Sequence, residues 1–344
     1  MHYPELPVPS FFDPQKVGQI WRVPYQTRAA EAADWAREHR LLPASQDQHR
    51  IWLLMIDVQI TFCVPGGELY VAGRNGNAAV EDSVRLCEFI YRNLGSLTHL
   101  SVTMDTHQAM QIFHPIFFVD KAGNHPAPYM DLHAEALKSG KWHFNPALAP
   151  DFDITPEYGQ QMMIHYAETL EAHGKFALTI WPYHAMLGGI GHALVPALEE
   201  AIFFHSMARL SQPKFDIKGD QPFTENYSAI GPEVQQGPQG EILGARNPEF
   251  IQQLQSVDAL IVSGQAKSHC LAWTVADLLA DIRTTDPSLA RKVYLLEDTT
   301  SAIVVPGVVD HTQAADKTFQ HFAEAGMHRV KSTTPLSAWP DFPQ

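Results

Sequence analysis

The stretch from Val257 to Leu279, VDALIVSGQAKSHCLAWTVADLL, limits the possible folds more than any other part of the chain. Ala259, Leu260, Ile261 and Val262 form a short, partly β-branched apolar run of the kind that suits a central parallel strand. Gly264 then signals a turn. Leu271, Val275, Leu278 and Leu279 fall on one face of a following helix, which Ser268 is placed to cap. Cys270 lies in the first turn of that helix, at the carboxyl end of the strand. Open α/β sheets bind ligands at that end, and the positive end of the helix dipole favours a thiolate there.

The rest of the chain repeats the same unit. Ile51 to Ile56 reads as the first strand, closed by Asp57. Val80, Val84, Leu86, Ile90 and Leu94 mark a helix over Asn77 to Leu94. A second strand from Leu97 to Met104 runs into Asp105, Thr106 and His107, and a third is expected from Lys175 to Ile180, just before Trp181, Pro182, Tyr183 and His184. Next come a helix from His192 to Ala208, a short strand at Phe215 to Gly219 that carries Lys218, and a helix from Pro248 to Gln255. After the opening stretch, a strand at Lys292 to Leu296 and a helix from His311 to Ala325 complete the pattern. Such alternation predicts a three-layer α/β/α fold with a six-stranded, mostly parallel sheet.

Two segments stand outside the alternation. Residues 1–50 read as an extension with one helix over Gln26 to His39, for packing or subunit contact, and a homo-oligomer is expected. Residues 116–174 are rich in His, Pro and aromatics, with one helix from Pro156 to His173, and read as an inserted subdomain or lid in a domain spanning 51–335.

A formal charge of −14 without a dense Lys/Arg run speaks against nucleic acid or an anionic membrane as the partner, and favours a small molecule. Cys63, Cys87 and Cys270 lack paired spacing, which predicts free thiols in a reducing cytoplasm. No signal-peptide pattern or membrane-spanning apolar run is evident.

Asp57, Lys218 and Cys270 end three strands, so a parallel sheet brings them to one edge. A cysteine nucleophile needs a base and a neighbouring cation, and Asp57 and Lys218 supply those types. Asp105, His107, His114 and His184 form a second set near the same edge. Imidazoles with one carboxylate suit a divalent zinc, iron or manganese ion with coordination positions left open. His125, His133, His143 and His165 end no strand and are read as ordinary histidines.

DVQITF at Asp57 to Phe62, MDTH at Met104 to His107, WPYHAMLGGIGHA at Trp181 to Ala193, IKG at Ile217 to Gly219 with Tyr227-Ser228-Ala229, and SGQAKSHC at Ser263 to Cys270 occur in register. Together they resemble the nicotinamidase branch of the isochorismatase-like cysteine hydrolases, over about Ile51 to Ala325. That resemblance implies amide hydrolysis through a thioester on Cys270, with release of ammonia. Asp57 is implied as the base and then the acid, and Lys218 as the group that orients Asp57. The N–H groups of Ala266 and Cys270 are implied as an oxyanion hole, with a cis peptide between Gln265 and Ala266. Asp105, His107, His114 and His184 are implied as ligands of one divalent metal that meets a ring nitrogen of the substrate. Phe62, Trp181 and Tyr227 are implied as walls against the ring. Lys267 and Ser268 stand where the family has Thr-Asp.

Overall fold

In the computed structural model, which describes residues 4–174 and 176–343, the central sheet has six parallel strands. They are β1 (Ile51–Ile56), β2 (His99–Asp105), β3 (Lys214–Lys218), β4 (Ala259–Gly264), β5 (Val293–Leu296) and β6 (His328–Val330). The spatial order is β6-β5-β4-β1-β2-β3, which puts β1 and β4 in the middle. All six residues of each middle strand are buried, as the apolar runs Ile51–Ile56 and Ala259–Val262 lead one to expect, and Ser263 is buried with them.

The longer helices of the described residues are α1 (Tyr25–Glu38), α2 (Ala78–Arg92), α3 (Pro156–Ala172), α4 (Pro196–Arg209), α5 (Glu249–Ser256), α6 (Cys270–Thr285) and α7 (Thr312–Glu324). Of these, α2 and α4 cover one face of the sheet, α5, α6 and α7 the other, and α3 packs within the 116–174 region. Side chains alternate across β1. Ile51, Leu53 and Met55 pack with α2 and α4, while Trp52, Leu54 and Ile56 pack with α5, α6 and α7. Each fully buried aliphatic side chain stabilises this sandwich by about 1.5–3 kcal/mol relative to exposure. The amino-terminal α1 lies on α4, where Arg28 sits 3.8 Å over the Phe11 ring and pairs with the buried Glu200 at 2.6 Å. Among the described residues no helix is long and apolar enough to cross a membrane, and all three cysteines are free and buried.

The segment before Trp181 corrects the expected third strand. Lys175 lies outside the described residues, and only Leu178–Thr179 is extended, paired antiparallel with Asp131–Leu132 away from the main sheet. Leu178 and Ile180 belong instead to a separate apolar cluster with Phe117, Phe144, Met163 and Tyr166. A short apolar run fits any buried surface, and here that surface is the 116–174 region. The sixth strand of the sheet is His328–Val330, too short and too polar to read from its pattern.

Gly264 closes β4 with φ +111°, and a Cβ there would stand 2.1 Å from the Ile56 carbonyl oxygen. Only glycine lets the two central strands run side by side to their ends. The chain can therefore turn into α6 directly beside Asp57.

Candidate active site

Four strand ends meet at the carboxyl edge. Asp57 follows β1, Asp105 ends β2, Lys218 ends β3 in register with Asp105, and Cys270 opens α6 just after β4. Lys218 lies at the centre. Its Nζ is 2.9 Å from Asp57 Oδ2, 2.9 Å from Asp105 Oδ1, 2.9 Å from the Asn226 carbonyl and 3.7 Å from Cys270 Sγ. Cys270, Asp57 and Lys218 are thus brought together as the strand pattern predicts.

Both carboxylates are held from several sides. Asp57 leaves β1 with φ +47°; its N–H donates to the Thr103 carbonyl at 3.2 Å, and Thr103 Oγ1 donates to its Oδ1 at 2.5 Å. Gln59 clamps the backbone of Asp105, accepting its N–H on Oε1 at 2.8 Å and donating Nε2 to its carbonyl at 2.8 Å. Gln59 has no role in the sequence reading. The signal for it is physical: a glutamine between Val58 and Ile60 must find polar partners if its neighbours are buried.

Burial decides the protonation states. It raises the Asp57 carboxyl, and the Lys218 ammonium offsets this only in part. Burial also lifts the Cys270 thiol well above its ordinary range, against the pull of Lys218. Lys218 stays charged because Asp105 and Asp57 outweigh its desolvation. Asp105 shows the reverse balance to Asp57: burial is overcome by His107 and Lys218, and its carboxyl lies well below the usual range. Burial thus raises the Cys270 thiol and the Asp57 carboxyl alike, and both lie against the Lys218 ammonium.

The histidines continue the same network. His107 Nε2 is 2.8 Å from Asp105 Oδ2, and His184 Nε2 is 3.5 Å from the same oxygen. Asp105, His107 and His184 offer ligand atoms that all lie within 4.8 Å of one another. His114 stands just outside this group, its ring centroid 6.0 Å from His107 and 6.3 Å from His184.

In each ring Nδ1 faces a backbone carbonyl: Gly219 for His107 at 3.1 Å, Pro182 for His184 at 2.8 Å, and Ala109 for His114 at 3.1 Å. A carbonyl only accepts, so each Nδ1 is the donor and each Nε2 is left to face the interior of the site. His114 Nε2 is buried without a hydrogen-bond partner among the described residues, and burial lowers the pKa of the ring to about 3. The Nε2 atoms of His184 and His114, whose ring pKa values burial lowers, and that of His107, which pairs with Asp105, gather at a buried carboxylate and fit a bound cation. Gly219, at φ +85°, leaves the room for them, since a Cβ there would come within 2.9 Å of the His107 ring.

The cavity over Cys270 is walled by Phe62, Trp181 and Tyr227, with Trp181 Nε1 donating to the Tyr227 hydroxyl at 2.8 Å. Ala266 lines it too. The Gln265–Ala266 peptide is cis, and neither the Ala266 nor the Cys270 N–H has an acceptor among the described residues. The Ala266 carbonyl, in contrast, accepts from the N–H groups of His269 and Leu271.

No family model matches the chain, and no curated protein sequence does. In structure it is similar to an Acinetobacter baumanii nicotinamidase and pyrazinamidase, at 18% identity over 84% of this chain and 98% of that one, with a TM-score of 0.49. It is similar to a yeast nicotinamidase bound to the inhibitor nicotinaldehyde, at 15% identity over 82% of this chain and 99% of the other, with a TM-score of 0.49. A Pyrococcus horikoshii pyrazinamidase in complex with zinc is also similar, at 15% identity over 82% of this chain and 99% of that one, with a TM-score of 0.44. Likeness at this level carries neither substrate nor mechanism across.

Two further residues line the cavity that the sequence reading did not single out. Glu225 is buried there, and burial pushes its carboxyl up to about 7. Its only signal is its place two residues before Tyr227. His269 precedes the cysteine and stacks on Phe176, ring centroids 4.7 Å apart. His269, and not Ser268, occupies the position before α6, and among the described residues no side chain caps the helix. Ser268 Oγ instead lies 2.8 Å from His269 Nδ1 and accepts the Ile303 N–H at 3.1 Å.

Two buried histidines are a source of acid sensitivity. Burial lowers His269 from 6.5 to about 3 and His205, which faces the Leu97 carbonyl, from 6.5 to about 4. A depressed folded-state value means that the unfolded chain binds the proton more readily. Their contribution is therefore complete above pH 6.5 and declines as pH falls towards the folded values. Each histidine costs about 1.4 kcal/mol per pH unit within its window. His107, with a raised value, and Glu225, pushed up to about 7, work in the opposite direction. Melting temperatures measured from pH 7.5 down to 4.5 should therefore respond less unfavourably to acid below about pH 6.5 in His205→Gln than in the wild type.

Proposed function

We propose that the protein is a metal-containing cysteine amidohydrolase of nicotinamidase type, which converts a small heterocyclic carboxamide to acid and ammonia. The observation that carries this reading is the position of Lys218, in contact with Asp57, Asp105 and Cys270 at once. That contact joins a nucleophile and its base to a set of metal-binding side chains across one buried cation. Free, buried cysteines agree with a cytoplasmic enzyme.

Asp57 takes the Cys270 proton as Sγ attacks the amide carbon, so the buried thiolate need not form before substrate arrives. The carbonyl oxygen, as it gains charge, accepts from the Ala266 and Cys270 N–H groups. Asp57 then passes the proton to the departing nitrogen, ammonia leaves, and a thioester remains on Cys270. Water activated by Asp57 cleaves the thioester and restores the thiol. Lys218 keeps Asp57 oriented and balances its charge throughout. Asp105, His107 and His184, with His114 beside them, would hold one divalent ion, which when bound supplies a Lewis-acid contact for a ring nitrogen. Phe62, Trp181 and Tyr227 provide flat walls for that ring.

Glu225 favours a second reading of the substrate. A carboxyl that titrates near neutrality inside the cavity can accept from an N–H, which suits an open-chain amide or ureido compound. The test is ammonia release from nicotinamide, pyrazinamide, open-chain amides and ureido compounds, before and after chelation. Turnover of the heterocycles, falling at least about tenfold on chelation and returning with zinc, iron or manganese, is expected. Turnover confined to open-chain or ureido substrates and indifferent to chelator would select the second reading. A wild-type protein inert on every substrate would leave a binding or assembly module.

A further inference from the structure

Behind the cavity lies a buried network that the mechanism above does not use. Asp82, on α2, is buried, and its Oδ2 accepts from Gln265 Nε2 at 2.9 Å. Arg85, one helical turn on, donates to Asp82 Oδ1 at 2.7 Å and also to the Asp298 carbonyl. Gln265 is itself buried, and both ends of its amide are engaged, because Oε1 accepts the Ser301 N–H at 3.2 Å. Its backbone N–H donates to the Ile56 carbonyl at 2.8 Å, and the Lys267 N–H donates to the Ser301 carbonyl at 2.9 Å. The residues on each side of Ala266 are thereby fixed to β1, α2 and the loop after β5, while the Ala266 N–H has no acceptor of its own among the described residues.

We propose that Asp82 is a positioning residue: by anchoring the Gln265 side chain from α2 it sets the direction of the Ala266 N–H towards the oxygen that gains charge in the reaction. A buried ionisable group serving only to fill space would be replaced by an apolar one at little cost, whereas a donor aimed at a developing oxyanion loses its value with a small displacement. The inference rests on the amidohydrolase reading only in requiring that Cys270 add to a carbonyl.

An aromatic aldehyde isolates that requirement. Sγ adds to the aldehyde carbon, the C=O π pair moves to oxygen, and the thiol proton ends on that oxygen, giving a thiohemiacetal without any leaving group. Binding of pyridine-3-carbaldehyde therefore reports the oxyanion site, and alkylation of Cys270 by iodoacetamide reports the nucleophile alone. Asp82→Ala should weaken aldehyde binding roughly 10- to 100-fold while the alkylation rate stays within about threefold. Asp82→Asn, which keeps an oxygen for Gln265 Nε2, should recover most of the loss. Should Asp82→Ala fail to fold, Gln265→Leu carries the same expectation. Equal aldehyde affinity in the wild type and the variants, a parallel fall of both readouts, or a wild type that does not bind the aldehyde overturns the proposal. A wild type that binds the aldehyde in the expected order but releases no ammonia from any amide overturns the amidohydrolase reading alone.

Discussion

Cys270→Ala should lower ammonia release from nicotinamide or pyrazinamide by roughly four orders of magnitude, to the level that binding and oxyanion contacts alone sustain. In the proposed mechanism every covalent step passes through Sγ, and Cys63 and Cys87 cannot replace it, since both are buried and neither lines the cavity. Cys270→Ser should be nearly as inactive, because Asp57 would have to deprotonate a far weaker acid. The fold should barely change. Cys270 sits at the margin of the cluster formed with Leu271 and Val275, and losing one sulfur there costs about 1 kcal/mol. Steady-state ammonia assays beside thermal melts check both parts. A variant with wild-type turnover would remove Cys270 from the mechanism.

Lys218→Met should both abolish turnover and destabilise the protein by about 3–5 kcal/mol, since it leaves two buried carboxylates without their shared cation. Asp57 and Asp105 are each 2.9 Å from Nζ. The pH dependence separates this loss from ordinary packing damage. Lys218 has a folded value well above 10.5, so its contribution is complete below that pH and is lost only on the far alkaline side. Asp105 has a folded value well below 3.8, so its contribution is present above 3.8 and declines only in stronger acid. Without Lys218, burial raises Asp57 and Asp105 further, so the stability gap between wild type and variant, read by urea denaturation, should be widest at about pH 9 and narrow as pH falls and the variant's carboxylates take up protons. A gap that stayed level into strong acid would show that the carboxylates are not what Lys218 compensates.

The residues legible in the sequence are those whose surroundings are local. Ile51 to Ile56 and Ala259 to Val262 are apolar on both faces, and only a strand covered above and below can use such a run. Asp57, Asp105, Lys218 and Cys270 stand where those runs and their neighbours stop, so the edge they share follows from the topology. Leu178 and Ile180 carry the same apolar signal as a core strand but go to another cluster, because apolar character states that a residue is buried and not against what. His328–Val330 gives no signal, since strand neighbours and not its own composition hold it in place.

By itself, then, the sequence determined a parallel α/β sheet, the edge where its chemistry gathers, and the residue types present there, because periodicity and strand ends are properties of neighbouring positions. Tertiary structure alone decided that the nucleophile set and the histidine set are one network through the Lys218–Asp105 pair. It also decided that Glu225 faces the cavity and that Asp82 reaches Gln265 across 183 positions. Contacts between residues so distant along the chain depend on how the layers pack, and no local pattern records them.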